Sequence, residues 1–174
     1  MPVARVIAAA ALVLLTGGPR EFGIGGGAIL CVPEREIDAD AMPYAPDPKH
    51  LQGDGPAFAF QFDADDVRRR IPAFSVDPRL KDLRSANTLE GSLAFVDSAD
   101  RRAEAQLTCR HDVLRNGRYS GTELQTCARV TLIDGFLVSY RVQERNAPLI
   151  ADLDRFLRAR IAEWRDNCHA TDRL

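Results

Sequence analysis

The sequence has no apolar segment long enough to cross a membrane as a helix. Its most apolar stretch, Val6–Leu15, has ten residues and would rise only about 15 Å as a helix, against roughly 30 Å of hydrocarbon. Arg5 precedes this stretch and small residues follow at 16–18, which completes the pattern of a secretory signal peptide. The alternative is a buried N-terminal helix. We expect a signal peptide at 1–18, export to the periplasm or beyond the cell, and one globular domain at 19–174.

An excess of charge of either sign is also missing, since 23 basic and 25 acidic residues give a formal net charge of −2. Basic residues are mixed with acidic ones, as in DADDVRRR at 63–70. The sequence therefore offers neither the basic patch that binds nucleic acid nor a polybasic segment for a membrane surface. We expect a protein partner, with no nucleic acid and no membrane span.

Linear catalytic motifs are absent from the sequence. It contains no G-x-S-x-G nucleophile elbow, and none of its histidines, His50, His111 and His169, lies in a recognisable catalytic frame. Acidic residues are numerous, but their spacing alone cannot bring two carboxylates together as acid and base. An enzymatic activity is therefore possible only through residues that separate strands bring together.

The segment FGIGGGAIL at 22–30 matches a dinucleotide-binding fingerprint in its glycine spacing. Such a fingerprint needs a parallel strand before it and a helix after it, whose N-terminus faces the pyrophosphate. Here the expected signal peptide precedes it, and Pro33 follows too soon for a helix of useful length. We interpret 23–27 as a flexible entry into the first strand and expect no cofactor.

An even number of cysteines in an exported chain predicts a disulfide framework. The sequence has four, Cys31, Cys109, Cys127 and Cys168. We favour the pairs Cys31–Cys168 and Cys109–Cys127, because local structure can make each pair of segments neighbours. The alternative is a metal site that uses Cys109-x-His111 and Cys168-His169. No Cys-x-x-Cys or His-x-x-x-His spacing supports a metal site, and we expect none.

A C-terminal helix at 147–168 is the clearest predicted element. Apolar residues recur there at spacings of three and four, which places them on one stripe of an α-helix. They are Ile150, Leu153, Leu157, Ile161, Trp164 and Cys168. Asn146 is the expected N-cap. Since Cys168 continues the apolar stripe, its sulfur is expected to point at the body of the protein.

A hairpin is predicted before this helix, at 124–143. A two-residue Asp134-Gly135 turn would place Arg129 beside Tyr140 on an otherwise apolar face. A three-residue loop at 133–135 pairs Leu132 with Phe136 and leaves one face wholly apolar. Because a slip of one residue exchanges the two faces, we predict the three-residue loop.

Further strands are predicted at 28–32 and 56–62, and a second hairpin at 93–96 and 103–109. Short helices are predicted at 64–71 and 78–84, with Asp63 and Asp77 as caps. The basic residues 68–70 then suit the end of the first helix. The sum is an α+β fold, a mostly antiparallel sheet of about five to six strands with the C-terminal helix and short helices on one face.

Two loops are the candidate binding regions. Residues 33–55 contain four prolines and no periodic pattern, and long loops of this kind are functional or disordered. This loop would offer Met42, Tyr44 and His50 to a partner. The loop at 112–123 would offer Arg118 and Tyr119, residue types that anchor interfaces. The alternative is that the two tyrosines pack against their own loops.

These features favour an exported soluble protein that binds or inhibits another protein in the cell envelope, for example an antidote that blocks a periplasmic toxic enzyme. An accessory subunit of an envelope assembly is the alternative, and a small exported hydrolase without a linear motif is a further one. The hydrolase would require His50, His111 and nearby carboxylates to converge in one cleft.

Overall fold

The strands form two antiparallel sheets in the computed structural model, which describes residues 18–23, 29–41, 57–95, 105–115 and 117–171. The strands are β1 (Arg20–Gly23), β2 (Ile29–Val32), β3 (Ala57–Asp63), β4 (Thr88–Phe95), β5 (Gln106–Leu114), β6 (Thr122–Ile133) and β7 (Phe136–Gln143). The α-helices are α1 (Ala64–Arg70), α2 (Arg84–Asn87) and α3 (Ile150–Thr171). The larger sheet has the order β3-β4-β7-β6-β5, and β1 pairs with β2. The α+β prediction is confirmed.

The core lies between α3 and one face of the large sheet. Strand β3 alternates as predicted, so that Phe58, Phe60 and Phe62 point to the same face and are buried. All three rings pack against Trp164 of α3, with centroid distances of 5.7, 6.2 and 5.9 Å. The indole N–H of Trp164 donates to the buried Glu36 carboxylate at 2.7 Å, so the polar edge of this ring is also satisfied.

The apolar stripe of α3 is confirmed, since Leu153, Leu157, Ile161 and Trp164 are buried. The helix begins three residues later than predicted, at Ile150, because a 3-10 helix at Glu144–Leu149 precedes it. The predicted cap is wrong. The Asn146 side chain instead accepts from the backbone N–H of Ser75 at 3.0 Å and donates to its carbonyl at 2.9 Å. This buried amide therefore connects the 3-10 helix that follows β7 to the segment that follows α1.

Both predicted disulfides are present. Cys31–Cys168 joins β2 to α3, and Cys109–Cys127 joins β5 to β6 at directly paired positions. All four sulfur atoms are in disulfide bonds, so none is available as a thiolate ligand for a metal. Among the described residues, no three His, Cys, Asp or Glu side chains are grouped as a metal site.

The predicted register of the β6–β7 hairpin is wrong. Ile133 pairs with Phe136 across a two-residue turn, and Asp134 and Gly135 both have positive φ, 51° and 88°. Two successive positive φ values define the tight turn whose twist matches that of the strands, and Asp tolerates this conformation better than most side chains. Arg129 therefore does lie beside Tyr140, on the face that α3 covers.

Asp154 of α3 explains why this face accepts an arginine. Its carboxylate accepts from Arg129 and from the Tyr140 hydroxyl, both at 2.7 Å. Burial, followed by the hydrogen bond to Asp154, raises the pKa of the Tyr140 hydroxyl above its usual value. The network pairs the Arg129 guanidinium through Nη2 and the Tyr140 hydroxyl with one carboxylate, while Nε of Arg129 is buried without a hydrogen-bond partner among the described residues.

The predicted pairing of 93–96 with 103–109 is also wrong. Strand β4 pairs with β3 and β7, and β5 pairs with β6, so two strands separate β4 from β5. Ala103 and Val96 lie outside the described residues. As a result, β5 is an edge strand of the large sheet.

Of the short predicted helices, the first is confirmed as α1, with Asp63 at its N-cap position but without a side-chain cap bond. The predicted helix at 78–84 is instead a 3-10 turn at Pro78–Leu80 followed by α2. Asp77 does cap that turn, accepting from the backbone N–H of Arg79 at 3.0 Å. The basic residues 68–70 are paired with acidic side chains, as expected for a solvated helix end.

The strands on either side of the glycine-rich segment are paired antiparallel. Arg20–Gly23 forms β1, which the sequence analysis missed, and pairs with β2. Residues 24–28 lie outside the described residues. Where a dinucleotide site would have a helix after the glycines, the described residues form the strand β2, followed by Pro33 and a 3-10 turn. No helix in the described part of the chain is long and apolar enough to span a bilayer.

Candidate interaction site

The edge of the large sheet formed by β5 is much more exposed to solvent than the strands at its centre. Strand β5 is an edge strand, and eight of its nine residues are exposed. Leu107 and Val113 on this strand are 43% and 51% exposed. A polar cleft of about 480 Å³ opens beside this end of the sheet. We take the cleft and the adjoining end of the β5–β6 hairpin, residues 117–121, as the candidate interaction site.

Asp77 is the buried centre of the cleft, with 5% of its surface exposed. Arg79 donates to both carboxylate oxygens, from Nε at 3.1 and 3.2 Å and from Nη2 at 2.7 Å. Arg145 donates to Oδ2 at 2.9 Å. The hydrogen bonds from Arg79, more than any other interaction, lower the pKa of the Asp77 carboxyl from 3.8 to about 2. The carboxylate is therefore ionised at any physiological pH and fixes two arginines in place.

Gln143, the last residue of β7, ties Asp77 to the sheet. Its side-chain carbonyl accepts from the Asp77 N–H at 3.1 Å, and its amide donates to the carbonyl of Ala86 at 3.4 Å. The 3-10 turn, α2 and the sheet are thus joined through one buried amide. This arrangement holds the floor of the cleft rigid, because neither Asp77 nor Gln143 can move without losing buried hydrogen bonds.

The lining of the cleft also includes acidic side chains. Glu123 of β6 and Glu144 after β7 line the cleft together with Gln125. The Glu144 carboxylate also lies 3.4 Å from Nε2 of His111 on β5, and both side chains are well exposed. The lining of the cleft therefore combines positive and negative groups.

The hairpin end packs beside the cleft through an ion pair. Arg118 donates to the Asp82 carboxylate at 2.9 Å, and Leu80 and Gly121, close in sequence to these two residues, line the cleft. Gly121 has a φ of 78°, which favours glycine at this position. The side chain of Arg118 remains 72% exposed, so most of its guanidinium is accessible to a partner.

The sequence prediction of the loop at 112–123 is partly revised by these contacts. Strand β5 extends to Leu114 and β6 begins at Thr122, so the connection is shorter than predicted. Tyr119 is half-buried, and its carbonyl accepts from the N–H of Thr122 at 2.9 Å. Arg118 and Tyr119 therefore lie close together on a tight hairpin end, beside a cleft that the sequence did not reveal.

The other predicted contact residues, Met42, Tyr44 and His50, lie outside the described residues. Within the loop predicted at 33–55, Glu34–Glu36 forms a 3-10 turn, and Ile37 forms an isolated β-bridge with Phe60. The start of this segment therefore belongs to the scaffold. Of the histidines considered for a hydrolase, His111 lies 3.4 Å from the Glu144 carboxylate, whereas His50 is outside the described residues and the side chain of His169 is not described.

Asp77, Arg79, Gln143 and Arg145 are the site residues that sequence reasoning missed. The sequence feature that points to this site is Asp77-Pro78, which by itself indicates only a helix cap. Nothing in the sequence links residue 77 to residues 143 and 145, because these residues come together only through the tertiary fold.

A second groove of about 380 Å³, between the end of α1 and α3, is more apolar and is flanked by Arg70, Arg155 and Arg160.

A site of this kind suits the recognition of a folded partner. It offers anchored arginines, carboxylates and a tyrosine at the end of a hairpin. Arginine and tyrosine are enriched among the residues that dominate interfaces, and charged groups select a partner with complementary charges. Comparisons of the chain with protein-family models, with curated proteins and with solved structures found no match.

Proposed function

We propose that this chain is an exported binding or inhibitory protein of the cell envelope, such as an antidote that blocks a toxic enzyme in the periplasm. The carrying observation is the set of fixed charges around Asp77. A buried carboxylate holds Arg79 and Arg145 at the cleft, whose lining also includes Glu123 and Glu144. Preorganised charges of this kind reduce the entropic cost of binding and select a partner with complementary charges.

The compartment is part of the same proposal. Disulfides persist in oxidising environments and are rare in the reducing cytosol of mesophiles. Two disulfides therefore support export, in agreement with the signal-peptide pattern of residues 1–18.

Capture of the partner is the first test. The oxidised chain, immobilised through its N-terminus, is incubated with an envelope extract of the native source, cross-linked mildly, and the retained proteins are identified by mass spectrometry. One dominant enzyme whose activity falls with one equivalent of the chain supports the inhibitor. A set of envelope components would instead support an accessory subunit, and an empty eluate would contradict both.

Variants of the hairpin end then test the site. Arg118→Ala and Tyr119→Ala are expected to weaken the captured complex at least about tenfold each, the size of effect seen at interface anchors. The matched control is Arg158→Ala. Arg158 is also an exposed arginine in an ion pair between two elements, 2.8 Å from Asp134, but it lies on α3. Equal losses for control and test variants would place the interface elsewhere.

A further inference from the structure

The free edge of β5 has a defined hydrogen-bonding pattern. Across an antiparallel pair, positions alternate between hydrogen-bonded residues, about 5.5 Å apart at Cα, and non-hydrogen-bonded residues, about 4.5 Å apart. Cys109 and Cys127 are directly paired, with Cα atoms 3.9 Å apart. They therefore form a non-hydrogen-bonded pair, and the N–H and C=O groups of Cys109 point away from β6.

The β6–β7 register gives the same result independently. The pair that flanks a two-residue turn, Ile133 and Phe136, is a hydrogen-bonded pair. Hydrogen-bonded pairs recur every second residue, so Cys127, six residues before Ile133, also directs its N–H and C=O groups to β7. The β6 residues that bond to β5 are therefore the even-numbered ones, such as 126 and 128. It follows that Leu107, Cys109, His111 and Val113 direct their backbone groups to the free edge.

This edge is exposed and rigid. Each of these four residues is exposed, and among the described residues β5 pairs only with β6. The Cys109–Cys127 disulfide lies at the centre of the strand and holds it in register with β6. An open edge of this length is a template for another strand, and natural proteins usually shorten or cover such edges.

The charged side chains of β5 indicate which strand can pair with its free edge. Arg110 and Asp112 flank His111, are exposed, and lie on the same face of β5. In an antiparallel pair of two β5 strands centred on His111, Arg110 of each protomer lies directly opposite Asp112 of the other. The strand is therefore complementary to itself, with two opposite-charge pairs at the closely spaced, non-hydrogen-bonded positions.

Other symmetric registers lack this complementarity. Centring the pair on Arg110 places two arginines opposite each other, and centring it on Asp112 places two carboxylates opposite each other, both of which are destabilising. Centring it on Cys109 pairs each charge with a neutral residue. On the second face, the His111 register places Val113 opposite Cys109 of the other protomer on both sides of a central pair of His111 side chains.

We propose that the chain forms a twofold-symmetric dimer through antiparallel pairing of β5 with β5 of a second copy, centred on His111, giving one continuous ten-stranded sheet. The pairing is isologous, as closed dimers require. Since one strand per protomer makes a small interface, a dissociation constant on the order of micromolar is expected. This inference does not rest on the proposed function, because it uses the edge of β5 and not the cleft.

Sedimentation velocity of the oxidised chain, from about 1 to about 500 μM, tests the dimer. Val113→Pro removes an outward N–H without removing a bond to β6, a position at which edge strands tolerate proline. It is expected to abolish association while circular dichroism and the thermal midpoint stay near those of the original chain. A monomer at all concentrations, or a dimer that Val113→Pro leaves intact, would overturn the proposal.

A charge exchange tests the register. Arg110→Asp alone and Asp112→Arg alone each place like charges opposite each other and are expected to weaken dimerisation at least about tenfold. The double variant Arg110→Asp, Asp112→Arg restores opposite charges and is expected to return to within about threefold of the original constant. Arg155→Asp, on the exposed face of α3, matches the charge change and should have no effect. A double variant as weak as the single ones would overturn the His111 register.

Discussion

The two edges of the large sheet are stabilised in different ways. At the β3 edge, Phe58, Phe60 and Phe62 are buried under Trp164. At the β5 edge, the strand is exposed on both faces and a disulfide ties it to β6. Burying one large apolar side chain contributes about 1.5–3 kcal/mol, a contribution that the exposed Leu107 and Val113 do not make in full. The comparison teaches that β5 is held by its backbone pairing and its disulfide to β6 rather than by buried apolar side chains.

The largest expected effect comes from the disulfide at the covered edge. Cys31–Cys168 closes a segment of 137 residues, and the chain-entropy model gives about 5 kcal/mol for a loop of this length. The double variant Cys31→Ala, Cys168→Ala is expected to lose about that much of its free energy of unfolding, measured by urea denaturation and the fluorescence of Trp164. A loss below about 1 kcal/mol would show that the α3–β2 contact is held by packing alone.

Trp164→Ala tests the packing at the same edge. Removal of a buried Trp side chain costs about 3–5 kcal/mol, and here it also leaves the buried Glu36 carboxylate without its indole donor. Urea denaturation followed by circular dichroism measures the loss. The control at the other edge is Leu107→Ala, which should change the free energy of unfolding by less than about 0.5 kcal/mol. Similar losses of unfolding free energy in Trp164→Ala and Leu107→Ala would contradict the conclusion that the two edges are stabilised differently.

The second disulfide should have a smaller and more local effect. Cys109–Cys127 spans 18 residues, for which the chain-entropy model gives about 3 kcal/mol. In the double variant Cys109→Ala, Cys127→Ala, the backbone amides of β5 should exchange with solvent faster than those of β3 and β4, because little buried apolar surface holds β5 in place. Hydrogen exchange with mass spectrometry measures this, and uniform acceleration over all five strands would contradict it.

What was predictable from the sequence is what depends on local periodicity. The spacing of Leu153, Leu157, Ile161 and Trp164 defines one helical face whatever the rest of the fold, and that face also placed Cys168 toward the body of the protein. The alternation in β3 is a local signal of the same kind. These elements and both disulfide pairs are confirmed.

The predictions that were wrong depend on partners distant in sequence. The β6–β7 register was rejected because Arg129 on a buried face looked costly, yet Asp154 of α3 pairs with it. The β4–β5 hairpin was inferred from proximity in the chain, whereas β7 and β6 lie between these strands. The Asp77 cleft was missed for the same reason, since Gln143 and Arg145 reach it only after the sheet has formed.

The smallest expected effect is a pH dependence centred on Asp77, whose carboxylate is paired with Arg79 and Arg145. Its pKa is lowered to about 2 in the folded protein, against about 3.9 for an exposed Asp. A lowered pKa contributes stability that is complete above the unfolded value and disappears as the pH falls through the folded value. The free-energy difference between the original chain and Asp77→Asn should therefore be constant above about pH 5 and shrink toward pH 2. Urea denaturation at successive pH values measures it, and a difference that stays constant down to pH 2 would show that Arg79 and Arg145 stabilise the residue through hydrogen-bond geometry rather than through its charge.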